Sequence, residues 1–386
     1  MKPDCNNCPL QVYWGERNEF APVDSTIRES KLLVLGDAPS KQAVTYNLPF
    51  AGPDGATLAK ALGDKAWERA SFANVIACRY PNDNPKEFLA KLKKENRSRL
   101  KRGLPVMSTP ATCCKPRLDA DLASHPLKLT LGSSAAKAVL PRNPSLSAIR
   151  GGPTRTSAGK VLPTFHPRHV IRNPQWMETF KSDIAKAFRF FSGTLNWDDP
   201  ETNFHPTAEE LQEFFSRVKR RTKADRRVTY DVETDALEPL TAGLRCIGLG
   251  TDKEAFIVPL LSVSGETGFY TASELTDIKR VLVSFFEDKD ILKVGHNAGY
   301  YDRIVIEQHL GVTPTPLLDT ILLHKLARSE FPHGLAYIGS VETDVPAWKS
   351  EHTATTAQDD LELHQYCATD VAVASSYAIT VTSISD

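Results

Sequence analysis

Hydrophobic and polar positions along this chain change period at definite points, and those points divide it into elements. In the first half, short apolar runs at residues 31–35, 72–77, 127–131 and 160–165 each precede a turn or helix signal, which predicts strands. Residues 135–140 and 176–191 carry helical spacing instead. Strands alternating with helices predict a mostly parallel sheet covered on both faces, with ligands collecting outside the carboxyl ends of the strands. Asp37, Asn74, Cys78, Gly132-Ser133 and His166 fall at or near those ends. Residues 193–206 are polar and rich in Asp, Asn and Pro, and read as a connector. Thr207-Ala-Glu-Glu210 is then a capping box opening a helix whose apolar side is Leu211, Phe214, Phe215 and Val218. Domains at 1–192 and 207–386 follow. In the second, residues 228–232 read as a strand whose period of two puts Asp231 and Glu233 on one face. Residues 295–302 close another strand and open a helix, while Tyr366 and Asp370 stand four apart on one helix side.

Charge and cysteine change the picture further. Over 386 residues the net charge is zero, but Lys and Arg outnumber acids ten to two in 86–118 and seven to one in 217–227. Such runs are solvated faces or phosphate-tracking surfaces. No apolar run is long enough to cross a bilayer and the N-terminus lacks an apolar signal region. The expected setting is the cytoplasm, where cysteines are not expected as structural disulfides. Of seven cysteines, Cys246 and Cys367 read as core thiols. Cys5, Cys8, Cys78, Cys113 and Cys114 gather in the first 114 residues and ask for a metal or cluster.

Hard oxygen ligands placed as Asp231, Glu233, Asp302 and Asp370 suit two Mg²⁺ or Mn²⁺ ions. With Asn297, Tyr301 and Tyr366 they resemble the three motifs of the DEDD 3′→5′ exonucleases, in the tyrosine variant found beside family A DNA polymerases. Leu318-Asp319-Thr320, His333-Gly334-Leu335 and Trp348-Lys349 are softer marks of the same family. The resemblance implies an RNase H-like fold with a mixed sheet. It implies that Asp231 bridges both metals, that Glu233 and Asp370 complete one site, and that Asp302 orients the other. Tyr366 would align the attacking water, and Asn297 would hold its own loop and the substrate strand.

The first half resembles the iron–sulfur uracil-DNA glycosylases of family 4, through Gly36-Asp-Ala-Pro39, residues 49–55, residues 73–79, residues 131–135, Arg150-Gly151 and Thr164-Phe-His-Pro167. The implied fold is a three-layer α/β/α domain. Excision needs a base pulled from the stack and read on its Watson–Crick edge. Asn74 can supply that reading, Phe50 an aromatic face, His166 a donor to the departing base, and Asp37 a carboxylate for water or a sugar cation. Departures are Asp37 where the family has Glu, Ala43 for a second Glu, Asn47 for Gly, and a basic insert at 91–102 between Cys78 and Cys114. The resemblance maps a [4Fe–4S] cluster onto Cys5, Cys8, Cys78 and Cys114, with Cys113 as alternative ligand and zinc as alternative metal.

Together these imply a DNA replication or repair protein, phage-encoded, that trims 3′ ends and inspects bases for uracil or a modified pyrimidine. A DNA polymerase is the implied partner, either separate or lost from a longer chain. The alternatives are an RNA-processing exonuclease and a DNA-binding scaffold with an inactive glycosylase-like module.

Overall fold

The computed structural model describes residues 5–17, 19, 21–140, 145–349, 357 and 359–383. The chain forms two compact units, Met1–Leu195 and Asn196–Asp386.

The first unit is built on strands β1 (Leu32–Gly36), β2 (Ser71–Asn74), β3 (Leu127–Leu131), β4 (Thr154–Thr156) and β5 (Gly159–Thr164), in the order β2-β1-β3-β5-β4. All pair in parallel except β4, an antiparallel edge. Every residue of β1 and β2 is buried, because helices cover both faces. Strand alternation sends Leu32 and Val34 of β1 into one core with Phe180 and Ile184. Leu33 and Leu35 enter the opposite core with Leu118 and Ala135. This is the expected three-layer α/β/α arrangement. One expectation is corrected: β2 ends at Asn74 rather than at residue 77. Val75 and Ile76 donate instead to the carbonyls of Gly36 and Asp37. Their apolar side chains fill the cysteine-rich core, which the linear pattern cannot distinguish from a strand.

The second unit has a mixed six-stranded sheet, order β11-β10-β7-β8-β9-β6, from β6 (Glu201–Asn203), β7 (Arg227–Thr234), β8 (Leu244–Gly250), β9 (Glu254–Pro259), β10 (Leu292–Gly295) and β11 (Leu317–Asp319). Strand β7 lies between parallel β10 and antiparallel β8, as expected of an RNase H-like domain. Val228, Tyr230 and Val232 of β7 pack with Phe214, Leu282 and Phe286 from the helices Ala208–Lys219 and Ala272–Glu287. Asp231 and Glu233 therefore point to the other face, toward the helix Asp360–Ser383. The predicted capping box at Thr207 is present. The segment 193–206 is not all connector, since β6 pairs in parallel with β9. An edge strand needs only backbone pairing, so its polar sequence gave no apolar alternation to read.

Two candidate active sites

In the second unit the four carboxylates come together. Asp231 and Glu233 share one face of β7, with Glu233 only 5% exposed. Asp302 (5% exposed) opens the helix Tyr301–Leu310 and accepts the Val232 N–H at 3.1 Å, which anchors that helix to β7. Asp370 (4% exposed) lies one turn beyond Tyr366 on the helix Asp360–Ser383. Burial raises the Asp231 carboxyl well above the usual carboxylate range, and the charges of Asp370 and Asp302 raise it further. Burial and then Asp231 and Asp370 do the same to Glu233. Asp302 is pushed up to about 7, first by burial, against the opposing hydrogen bond from Val232. Acids so placed hold protons unless cations compensate them.

One built-in cation enters this group. Lys349 Nζ donates to Asp370 Oδ2 at 2.5 Å and to Tyr366 Oη at 2.8 Å, while Trp348 Nε1 donates to Asp370 Oδ1 at 2.5 Å. Burial alone would lower the Lys349 ammonium, but Asp370 and Tyr366 hold it above its ordinary value. One ammonium against four carboxylates leaves net negative charge in oxygen-rich surroundings, which fits hard divalent ions. Cys367 is a fully buried core thiol, as expected, and its Sγ also lies 3.7 Å from Asp231 Oδ2 and within 4.8 Å of a Glu233 oxygen. The sequence marked Trp348-Lys349 without a role and placed Cys367 in the core. The Tyr-Cys-x-x-Asp register is the available signal, since Cys367, three residues before Asp370, shares its side of the helix.

The loop before Asp302 is held by Asp319, whose carboxylate accepts the N–H groups of Asn297, Gly299 and Ile321 at 2.9, 2.9 and 3.0 Å. Asn297 takes a left-handed backbone (φ 63°), which asparagine tolerates. Tyr301 Oη donates to the Ala236 carbonyl at 2.7 Å and lies 2.7 Å from Thr234 Oγ1, fixing the opposite end of the motif.

In the first unit Asp37, Asn74 and His166 follow or end β1, β2 and β5 on one side of the sheet. Asp37 and His166 line a cavity of about 600 Å³, together with Lys137, Arg168 and Arg172. Asn74 (5% exposed) and Phe50 close on Gly36: a Cβ there would lie 2.5 Å from Asn74 Oδ1 and 2.6 Å from Phe50 Cζ. Any other side chain would displace both. Phe50 has φ 60°, unusual for a bulky residue, and its ring stacks toward His166 with centroids 6.2 Å apart. Asn47, the departure from glycine, caps its helix at φ 45°, a conformation asparagine accepts. Ala43 is buried within that helix.

Burial drives His166 down to about 4, so the ring is neutral at pH 7. Its Nδ1 accepts the Arg168 N–H at 3.2 Å, leaving the ring proton on Nε2. Asp37 is raised to about 6, by burial against hydrogen bonds from Ala135 and Ser134. Its oxygen accepts Ala135 N–H at 2.9 Å, and Gly132 (φ 94°) lets it approach, because a Cβ there would meet Asp37 Oδ2 at 2.7 Å.

Cys8, Cys78, Cys113 and Cys114 are buried in one core, with Cys5 half-buried. Burial first, then Cys114, Cys8 and Cys5, push the Cys78 thiol up, so these four sulfurs sit near one another. Cys114 Sγ accepts the Ala77 N–H at 3.5 Å. Among the described residues no three of these sulfurs lie within 4.8 Å of one another. Thiolates gathered in this way can hold either a zinc ion or an iron–sulfur cluster. Arg117, on the helix Pro110–Ala123 with Cys113 and Cys114, also donates to the carbonyls of Asn74 and Val75.

Comparison with known proteins divides the chain in the same way. Residues 23–191 match the uracil DNA glycosylase superfamily and residues 204–376 match a 3′–5′ exonuclease family. The type-4 uracil-DNA glycosylase of Pyrobaculum aerophilum is 26% identical over 203 residues, 50% of this chain and 91% of that protein. DNA polymerase I of Synechocystis sp. is 31% identical over 181 residues, 44% of this chain but only 18% of the polymerase. Brucella melitensis NrnC with bound Mg²⁺ overlaps at 23% identity, 41% of this chain and 72% of that chain, with a TM-score of 0.33. That likeness bears on neither substrate nor partner.

Proposed function

We propose that this chain, which joins a uracil DNA glycosylase superfamily domain to a 3′–5′ exonuclease domain, is a DNA-maintenance protein that trims 3′ ends and excises an unwanted pyrimidine. The observation that carries the exonuclease half is the convergence of four buried or half-buried carboxylates on one cation-poor site. Asp231 would be shared by two divalent ions, with Glu233 and Asp370 completing one shell and Asp302 the other. Ions held so stabilise the attacking and leaving oxygens of phosphodiester hydrolysis. Tyr366, held through its hydroxyl by Lys349, orients the water that attacks the terminal phosphodiester. Asn297, fixed by Asp319, positions the last nucleotides of the strand.

In the first unit a flipped base would stack on Phe50 and present its edge to the Asn74 amide, which both donates and accepts. As the glycosidic bond breaks, the base leaves with its electron pair. His166, protonated on Nε2 and neutral, donates a hydrogen bond to that anion without forming a buried cation. Asp37 positions the water that adds to the sugar carbon. A [4Fe–4S] cluster on Cys5, Cys8, Cys78 and Cys114 would be structural; through Arg117 the same helix steadies the end of β2. The stretch shared with DNA polymerase I supports a polymerase as partner or as a further part of a longer protein. Phage origin and a cytoplasmic setting belong to the same reading.

Side-by-side assays test it. With Mg²⁺, single-stranded DNA should shorten from its 3′ end at least as fast as RNA of the same sequence; a strong RNA preference would overturn the DNA assignment. Uracil or 5-hydroxymethyluracil should be released from a labelled duplex and lost in Asn74→Ala. Release from neither duplex would reduce the first unit to a binding module.

A further inference from the structure

The insert between Cys78 and Cys114 forms the helix Pro85–Lys101 and a return segment, and its charges are sorted by side. Phe88 and Leu92 face inward, Phe88 against Tyr13 and Tyr80 at ring separations of 6.2 and 5.6 Å. Asn96 clamps the return segment by two hydrogen bonds to the Met107 backbone, and Arg99 Nε donates to the Pro105 carbonyl at 2.7 Å. The helix is thus fixed to the unit rather than loose upon it. On one flank, Glu87, Lys91 and Glu95 line a separate groove with Tyr13 and Phe88, and Lys91 is paired to Glu87 at 2.6 Å. On the other flank, Pro85 and Leu89 line the cavity that holds Asp37 and His166. Lys86, Lys93 and Arg97 stand at −3, +4 and +8 from Leu89, hence along that same flank. All three are exposed, and none has an ion-pair partner among the described residues. Asp83, the acid on this wall, is already tied to Arg79 at 2.7 Å. Lys137 and Arg172 stand elsewhere on the cavity wall.

We propose that this cationic flank of the insert is a nucleic-acid backbone clamp beside the base cavity, with Lys86, Lys93 and Arg97 contacting phosphates spaced along the strand whose base enters it. Eleven residues of helix separate Lys86 from Arg97, roughly 16 Å, or about five nucleotide steps of a duplex. An acidic protein would also be attracted to such a flank, but the adjoining cavity, with Asp37 and His166 on its wall, favours a polynucleotide. The inference rests on the first unit being a DNA-base reader, not on its excising a base.

The test uses the full chain in EDTA with uracil-free, covalently closed circular duplex DNA, which offers no 3′ end and needs no excision. In the triple variant Lys86→Gln, Lys93→Gln, Arg97→Gln, the slope of log affinity against log salt should become shallower by about 2 to 3. Affinity at 0.1 M salt should fall roughly tenfold or more. Arg97→Glu alone should weaken binding in the same direction, while Lys91→Gln, on the opposite flank, should change the slope by less than about 1. A slope unchanged in both the triple variant and Arg97→Glu, or an equal loss in Lys91→Gln, would overturn the clamp. Failed uracil release together with the predicted slope change would leave the clamp standing and remove only the excision step.

Discussion

The two candidate sites solve opposite electrostatic problems. In the first unit the cavity is lined by Asp37, by Asp83 already paired to Arg79, by a neutral His166, and by Lys137, Arg168 and Arg172. In the second, four carboxylates face one another with a single lysine, Lys349, among the described residues. A site that must receive a departing anion needs donors that carry no compensating charge of their own. A site that must recruit cations does better left short of positive charge. Both place a residue with positive φ beside the chemistry, Phe50 in one and Asn297 in the other, so a left-handed backbone turn stands at each site although their charges differ.

The largest expected effect separates the sites by chemistry. Asp231→Ala should cut Mg²⁺-dependent 3′ degradation at least about a thousandfold while uracil release stays within twofold. Retained degradation in gel assays would mean that the acids were misassigned. Gly36→Ala is the mirror experiment. Its added Cβ meets Asn74 and Phe50, so base release should fall roughly a hundredfold, a large share of what a positioned recognition group supplies, with degradation unchanged. Equal damage to both activities would dissolve the comparison.

Lys349→Met probes the lone cation. Losing its contact to Tyr366 should lower the degradation rate about tenfold or more. Removing a positive charge should also let half-maximal activity be reached at lower Mg²⁺. A rise in the Mg²⁺ requirement would show that Lys349 builds the metal site rather than balancing it.

The smallest effect concerns pH. Asp37, raised to about 6, ionises as pH climbs through that value, so base release should rise by up to tenfold per pH unit below it and level off above. His166, with its value near 4, adds no second limb between pH 5 and 8. For stability the sign is opposite. The folded protein holds the Asp37 proton more tightly than the unfolded chain, so this group's contribution falls as pH rises from about 4 to 6. Asp37→Asn should flatten the rate profile and remove this group's share of the stability profile, and an unchanged rate profile would place the ionisation elsewhere.

Much of this arrangement is legible in the sequence, because period-two strands and i, i+4 helix pairs fix which side chains share a face. Asp231 with Glu233, and Tyr366 with Asp370, are of that kind. Asp37 and His166 are legible as strand-end positions in a parallel sheet. Contacts set by distant loops are not. The hold of Lys349 on Asp370 and Tyr366 spans 21 and 17 residues, and the Asp319 clamp on the Asn297 loop spans 22. No local period records either. Strand β6 escaped because an edge strand needs no apolar face, and β2 was overextended because a buried loop is as apolar as a buried strand.

Anomalous diffraction from crystals soaked in Mn²⁺ tests the central claim most directly. Two peaks roughly 4 Å apart, enclosed by Asp231, Glu233, Asp302 and Asp370, are predicted. A well-ordered map with those side chains in place and no anomalous density between them would contradict it.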